Sequence, residues 1–179
     1  VYKRQVEKGL NPGVKMCCVV KADAYGHGAL RVARLLQDSG ADYLAVSCYD
    51  EALELRQGGI TMPILILGHT PCEYTAGLIS LNITQTVTCL AKALEYSEQA
   101  LKLGRELKIH IKLDTGMSRL GYLCAGEHFD AGVDNVIASC RLPGLIPEGI
   151  YTHFSVSDEP EPSSRDYTLA QFRLFMAVT

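Results

Sequence analysis

Val19-Val20-Lys21-Ala22-Asp23-Ala24-Tyr25-Gly26-His27-Gly28 joins three kinds of sequence in one short stretch. An apolar run, residues 14–20, ends at a single lysine; a small-residue turn with two glycines comes next, and an amphipathic pattern begins at Ala29. Ala29, Val32, Ala33 and Leu36 take the i, i+3, i+4, i+7 spacing of one helix face, so the stretch reads strand, turn, helix. A lysine at the mouth of a buried strand is a costly place for an ammonium. It must find an anion, lower its pKa or serve as an amine nucleophile. Cys17 and Val19 share the Lys21 face of the strand and are expected to be buried. The plainer alternative is a solvated lysine at a strand end.

Working outward, the same alternation repeats. Strand patterns at 14–20, 43–46, 63–67, 83–87, 107–113 and 149–153 are separated by helical patterns. One of these helices places Leu90, Ala93, Leu94 and Leu101 inward and ends at Gly104. Another starts at Ser164 and carries Leu169, Phe172 and Met176 on one face. Residues 63–67 are apolar throughout, as a parallel strand covered on both faces should be. Six βα units in one order imply a parallel α/β sheet. Neither GxGxxG after the first strand nor a P-loop is present, which favours a (β/α)8 TIM-type barrel, truncated to about six units, over an open doubly wound sheet.

Composition narrows the function classes. The chain has 179 residues, 47% of them hydrophobic, enough for one domain or a piece of a larger one. A net charge of -3 without a basic tract points away from nucleic acid and anionic membrane. The apolar runs are strand-length, with no spanning helix. Seven cysteines, an odd count with no CxxC spacing, fit reduced thiols in a cytoplasmic protein better than a disulfide framework. Val1-Tyr2-Lys3-Arg4-Gln5 is a possible adapter scar, and residues 6–179 read as a partial barrel.

In a barrel the chemistry sits where strands end. Lys21 follows strand one, Asp114 to Arg119 follow strand five, and His153 ends strand six. In strand five Ile109, Ile111 and Leu113 alternate with His110, Lys112 and Asp114, so the polar set, Lys112 included, is expected to point inward. Arg119 could equally be a surface arginine, and His153 a hydrogen-bonded structural histidine. The five histidines and the cysteines show no paired zinc spacing, and no GxSxG nucleophile motif occurs.

Val19-Val20-Lys21-Ala22-Asp23-Ala24-Tyr25-Gly26-His27-Gly28-Ala29 resembles the pyridoxal-phosphate attachment signature of bacterial alanine racemases. Lys112-Leu113-Asp114-Thr115-Gly116-Met117-Ser118-Arg119-Leu120-Gly121 and Gly149-Ile150-Tyr151-Thr152-His153-Phe154 resemble two further motifs of that family, in the same order. The resemblance runs from about Val14 to the end. It implies pyridoxal 5'-phosphate as cofactor, with Lys21 as its Schiff-base lysine and as one of two bases at the Cα of alanine. Tyr25 would reach the cofactor phosphate, Arg119 the phenolic oxygen and the substrate carboxylate, and His153 the pyridine ring. Lys112 matches a position that carries a carbamylated lysine in some members. The second base, a tyrosine of a C-terminal β domain reached across a homodimer, has no counterpart in these residues, so this chain alone is expected to be inactive. The same residues leave room for a serine or broad-specificity racemase, for a related barrel decarboxylase, and for a single-barrel pyridoxal-phosphate carrier or regulator.

Overall fold

The structure, a computed structural model, describes residues 9–179. The possible scar at 1–5 lies outside them. The chain forms two compact units, one running to Gly68 and including Leu81–Ile83, the other made of His69–Ser80 and Thr84–Thr179.

The first unit holds three parallel strands, β1 (Cys17–Val19), β2 (Tyr43–Val46) and β3 (Ile64–Ile66), with helices α1 (Ala29–Asp38) and α2 (Tyr49–Gln57) between them. The register pairs Cys18 with Leu44 and Leu44 with Ile64. Leu44, Val46, Ile64 and Ile66 are fully buried, as parallel strands covered on both faces require. Arg56, near the end of α2, donates to four backbone carbonyls at 2.8–2.9 Å: Ile60, Met62, Leu81 and Asn82. Burial pushes its pKa down, with the Tyr43 phenol opposing. Peptide oxygens, rather than a carboxylate, solvate this guanidinium, and its planar fork can reach several of them at once.

The second unit carries β4 (Ile83–Val87) from Thr84 on, with β5 (Leu107–Asp114), β6 (Tyr122–Leu123) and β7 (Leu145–Tyr151). Its helices are α3 (Thr75–Ser80), α4 (Leu90–Lys102), α5 (Phe129–Cys140) and α6 (Pro162–Val178). β5 is the central strand, parallel to β4, β6 and β7. The β5–β7 register breaks once, since Ile109 faces Pro147 while His110 faces Gly149. Glu148 is therefore the extra residue of a bulge, a place where proline is tolerated in a sheet. Its carboxylate reaches Lys108 at 3.1 Å and Thr84 at 3.2 Å. Gly149 then passes so close to His110 that a Cβ there would sit 2.8 Å from the imidazole. The bulge sets the phase in which Tyr151 comes level with Lys112.

Strands two and four fall where the pattern predicts them, and the other predicted elements differ mainly at their ends. Five differences stand out. Cys17 and Val19 are exposed rather than buried: β1 is a three-residue strand at the end of the strand order, and Val20 is the side chain it buries. On α4, Leu94 and Leu101 point outward, and the buried stripe is Ala93, Tyr96, Ser97 and Ala100. Tyr96 and Ser97 donate there to the carbonyls of Thr70 and Pro143, so hydrogen bonding rather than apolar bulk orients the helix. On α6 the apolar residues Leu169, Phe172 and Met176 are exposed, while Ser164 and Gln171 are buried. The sixth predicted strand begins earlier and stops at Tyr151, which leaves His153 on the segment after it. β6, two residues long, carries no readable alternation at all.

Candidate active site

Val20 donates its N–H to Ala45 O, and the chain then leaves the sheet at Lys21. The residues after it form no ordinary loop. Ala22, Asp23, Ala24 and Tyr25 have φ of 51–55° and ψ of 37–51°, a left-handed turn over Lys21–Gly26 built from four non-glycine residues. Each costs about 1–2 kcal/mol relative to the right-handed form, so the conformation persists only because its surroundings impose it.

Two carboxylates do so. Glu51 on α2 accepts the Ala22 N–H on Oε1 at 2.8 Å, and the Ser47 N–H and O–H on Oε2 at 2.7 Å each. Asp23 accepts the Ala29 N–H on its side chain at 2.6 Å and the Gly28 N–H on its backbone oxygen at 3.0 Å. The turn is thereby tied at its start to the end of β2 and at its finish to α1. Burial raises the pKa of Glu51, but the hydrogen bonds from Ser47 and Ala22, with the nearby Lys21 charge, hold it below its usual value. Lys21 is half-buried; Tyr25, at the far end of the turn, is 63% exposed.

The second unit presents a separate constellation, organised by Asp114. This carboxylate, 6% exposed, accepts the N–H groups of Gly116, Ser118 and Arg119 at 2.9–3.0 Å. It folds the loop after β5 around itself and fixes the backbone from which Arg119 projects into solvent. The Thr115 hydroxyl meets that of Thr152 at 2.8 Å, and Gln171 of α6 donates to His153 O at 3.3 Å. The Arg119 loop and the exposed His153 segment are therefore joined into one surface. Lys112 is buried at 6% exposure, with Nζ 5.9 Å from the centroid of the Tyr151 ring. The Tyr151 hydroxyl in turn bonds Thr86 at 3.0 Å.

Lys21 and Tyr25 thus lie on one turn of the first unit; in the second, Lys112 is buried in β5, while Arg119 and His153 are exposed on the segments after β5 and β7. Glu51 and Gln171 were not legible as site residues. Glu51 contacts a residue 29 positions away, and the only hint is an acid in the first turn of a helix that comes after a strand. Among the described residues no cluster of His, Cys, Asp and Glu could hold a metal ion, and no helix is long and apolar enough to cross a membrane.

Comparison with known proteins identifies the family. A family model described as alanine racemase, N-terminal domain, matches residues 3–179. An alanine racemase of Clostridium perfringens is 49% identical over 158 residues, 88% of this chain and 39% of that protein. The solved structure of an alanine racemase of Clostridium difficile in complex with cycloserine superposes with a TM-score of 0.88 at 38% identity, covering 98% of this chain and 47% of that one. A histidine racemase from Leuconostoc mesenteroides superposes with a TM-score of 0.79 at 30% identity, over 96% and 45% of the two chains. The chain thus spans less than half the length of each of these relatives. Its parallel strands and alternating helices are those of part of a TIM-type barrel.

Proposed function

Because the chain belongs to the alanine racemase N-terminal domain family, we propose that the protein containing it interconverts L- and D-alanine, with pyridoxal 5'-phosphate held at Lys21. The observation that carries this reading is the setting of Lys21. A half-buried primary amine stands at the end of a parallel strand, and the next four residues are locked in a strained conformation by two carboxylates. Strain of this kind, imposed rather than relaxed, is characteristic of functional segments.

The residues present suit the cofactor. Lys21 would hold it through its primary amine. The exposed Tyr25 hydroxyl, on the same turn, suits a phosphate oxygen. Arg119 offers a planar guanidinium for a phenolate or carboxylate oxygen, and His153 a ring for stacking. When bound, the cofactor supplies an electron sink for the pair left at Cα as the α proton departs. Lys21 then serves as the proton carrier on one face of Cα. By the family resemblance, a tyrosine of a C-terminal domain serves the opposite face, across a homodimer. Lys112, buried against an aromatic ring, suits conversion to a carbamate that would remove a buried positive charge.

The full-length protein is therefore expected to convert L-alanine to D-alanine, followed by chiral chromatography, and Lys21→Ala to lower kcat at least a thousandfold. Retention of racemase activity by that variant would overturn the assignment. The likeness to a histidine racemase makes substrate range a live question, since a pocket built for alanine rejects a larger side chain mainly by volume. L-Histidine and L-serine belong in the same assay, and L-lysine with CO2 detection tests for decarboxylation.

A further inference from the structure

We infer that Glu51 is a positioning residue for Lys21: its carboxylate imposes the left-handed turn and so sets the direction in which the lysine leaves the sheet. Three features of the contact support this. Glu51 spans two strand ends, since Ala22 comes after β1 and Ser47 after β2. The donor bound to Oε1 is the N–H of the first residue with positive φ, immediately after Lys21. The other oxygen is fully engaged by Ser47, through its N–H and its hydroxyl, so the carboxylate cannot turn away from either strand.

All three partners present hydrogen to Glu51, and two of them are backbone N–H groups that cannot reverse their role. Only an ionised carboxylate offers two acceptor oxygens in this span. A glutamine keeps the shape but turns an N–H2 toward one backbone N–H, setting donor against donor. An aspartate keeps the charge but is one methylene too short to reach Ala22 and Ser47 together. Asp23 secures only the far end of the turn, toward Gly28 and Ala29. At the near end it is Glu51 that opposes the return of these residues to negative φ.

The proposal rests on the reading of Lys21 as the cofactor lysine, and two independent readouts separate the two ideas. The full-length protein, freed of cofactor, is compared as wild type, Glu51→Gln and Glu51→Asp. Hydrogen exchange by mass spectrometry follows the peptide containing Lys21–Gly28, and borohydride reduction after adding pyridoxal phosphate follows the rate at which Lys21 is labelled. We expect both variants to exchange this peptide about tenfold faster and to label Lys21 about tenfold more slowly, with the melting temperature within a few degrees of wild type. Use of both variants covers the case in which one folds poorly. Wild-type exchange and labelling in either folded variant would overturn the proposal. If the wild type itself is never labelled on Lys21, the cofactor reading falls, and the exchange comparison alone decides the role of Glu51.

Discussion

Two carboxylates, Glu51 and Asp114, solve one problem in the two units. Each binds backbone N–H in the segment that presents a cationic side chain: Glu51 takes the Ala22 N–H next to Lys21, and Asp114 takes three N–H groups including that of Arg119. Hydrogen bonds to a charged group contribute about 1.5–3 kcal/mol each, so Glu51→Gln should destabilise the protein by roughly 1–3 kcal/mol in urea titrations at neutral pH, given partial exposure. The dependence on pH has a definite sign. Glu51 has a lowered pKa in the folded state, so its contribution is complete above about 4.5, the ordinary value for glutamate, and disappears as pH falls through the lower folded value. The stability gap between wild type and Glu51→Gln should therefore be constant from pH 5 to 7 and close below pH 4. A gap that widened on acidification would contradict this origin. Neither carboxylate's partners could be read from the chain. Asp114 gathers three N–H groups from the loop directly after it, whereas Glu51 acts across two strand ends.

At the scale of elements, periodicity carried the strand and helix succession because parallel strands are apolar throughout and the connections are short. It failed where something other than apolar bulk decides orientation. The α4 stripe follows Tyr96 and Ser97, whose hydroxyls need carbonyl partners, so Leu94 and Leu101 turn outward. The turn after β1 was legible as a turn but not as left-handed, since Ala, Asp, Ala and Tyr have little preference for positive φ as a run. Arg56 is another such case: its four carbonyl partners lie on chain segments that only the fold brings to it. Arg56→Lys keeps the charge but cannot span four acceptors; the carbonyls of the buried Ile60 and Met62 are the ones whose loss matters, at about 1–3 kcal/mol for each left unpaired. We expect a loss of about 2–4 kcal/mol by urea denaturation; a loss below about 0.5 kcal/mol, less than one ordinary hydrogen bond, would show that water replaces the fork without penalty.

At the scale of the molecule, a partial TIM-type barrel supplies strand ends, with Lys21 after β1, Arg119 beyond β5 and His153 beyond β7. The chain belongs to the alanine racemase N-terminal domain family, and the backbone is most unusual directly after Lys21. Everything proposed for the site depends on Lys21 being the amine that carries pyridoxal phosphate. Borohydride reduction of the full-length protein loaded with the cofactor, with peptide mapping by mass spectrometry, tests this at the atom concerned. A single phosphopyridoxyl group on the side chain of Lys21 is expected. A modification found on another lysine, or none at saturating cofactor, would contradict it.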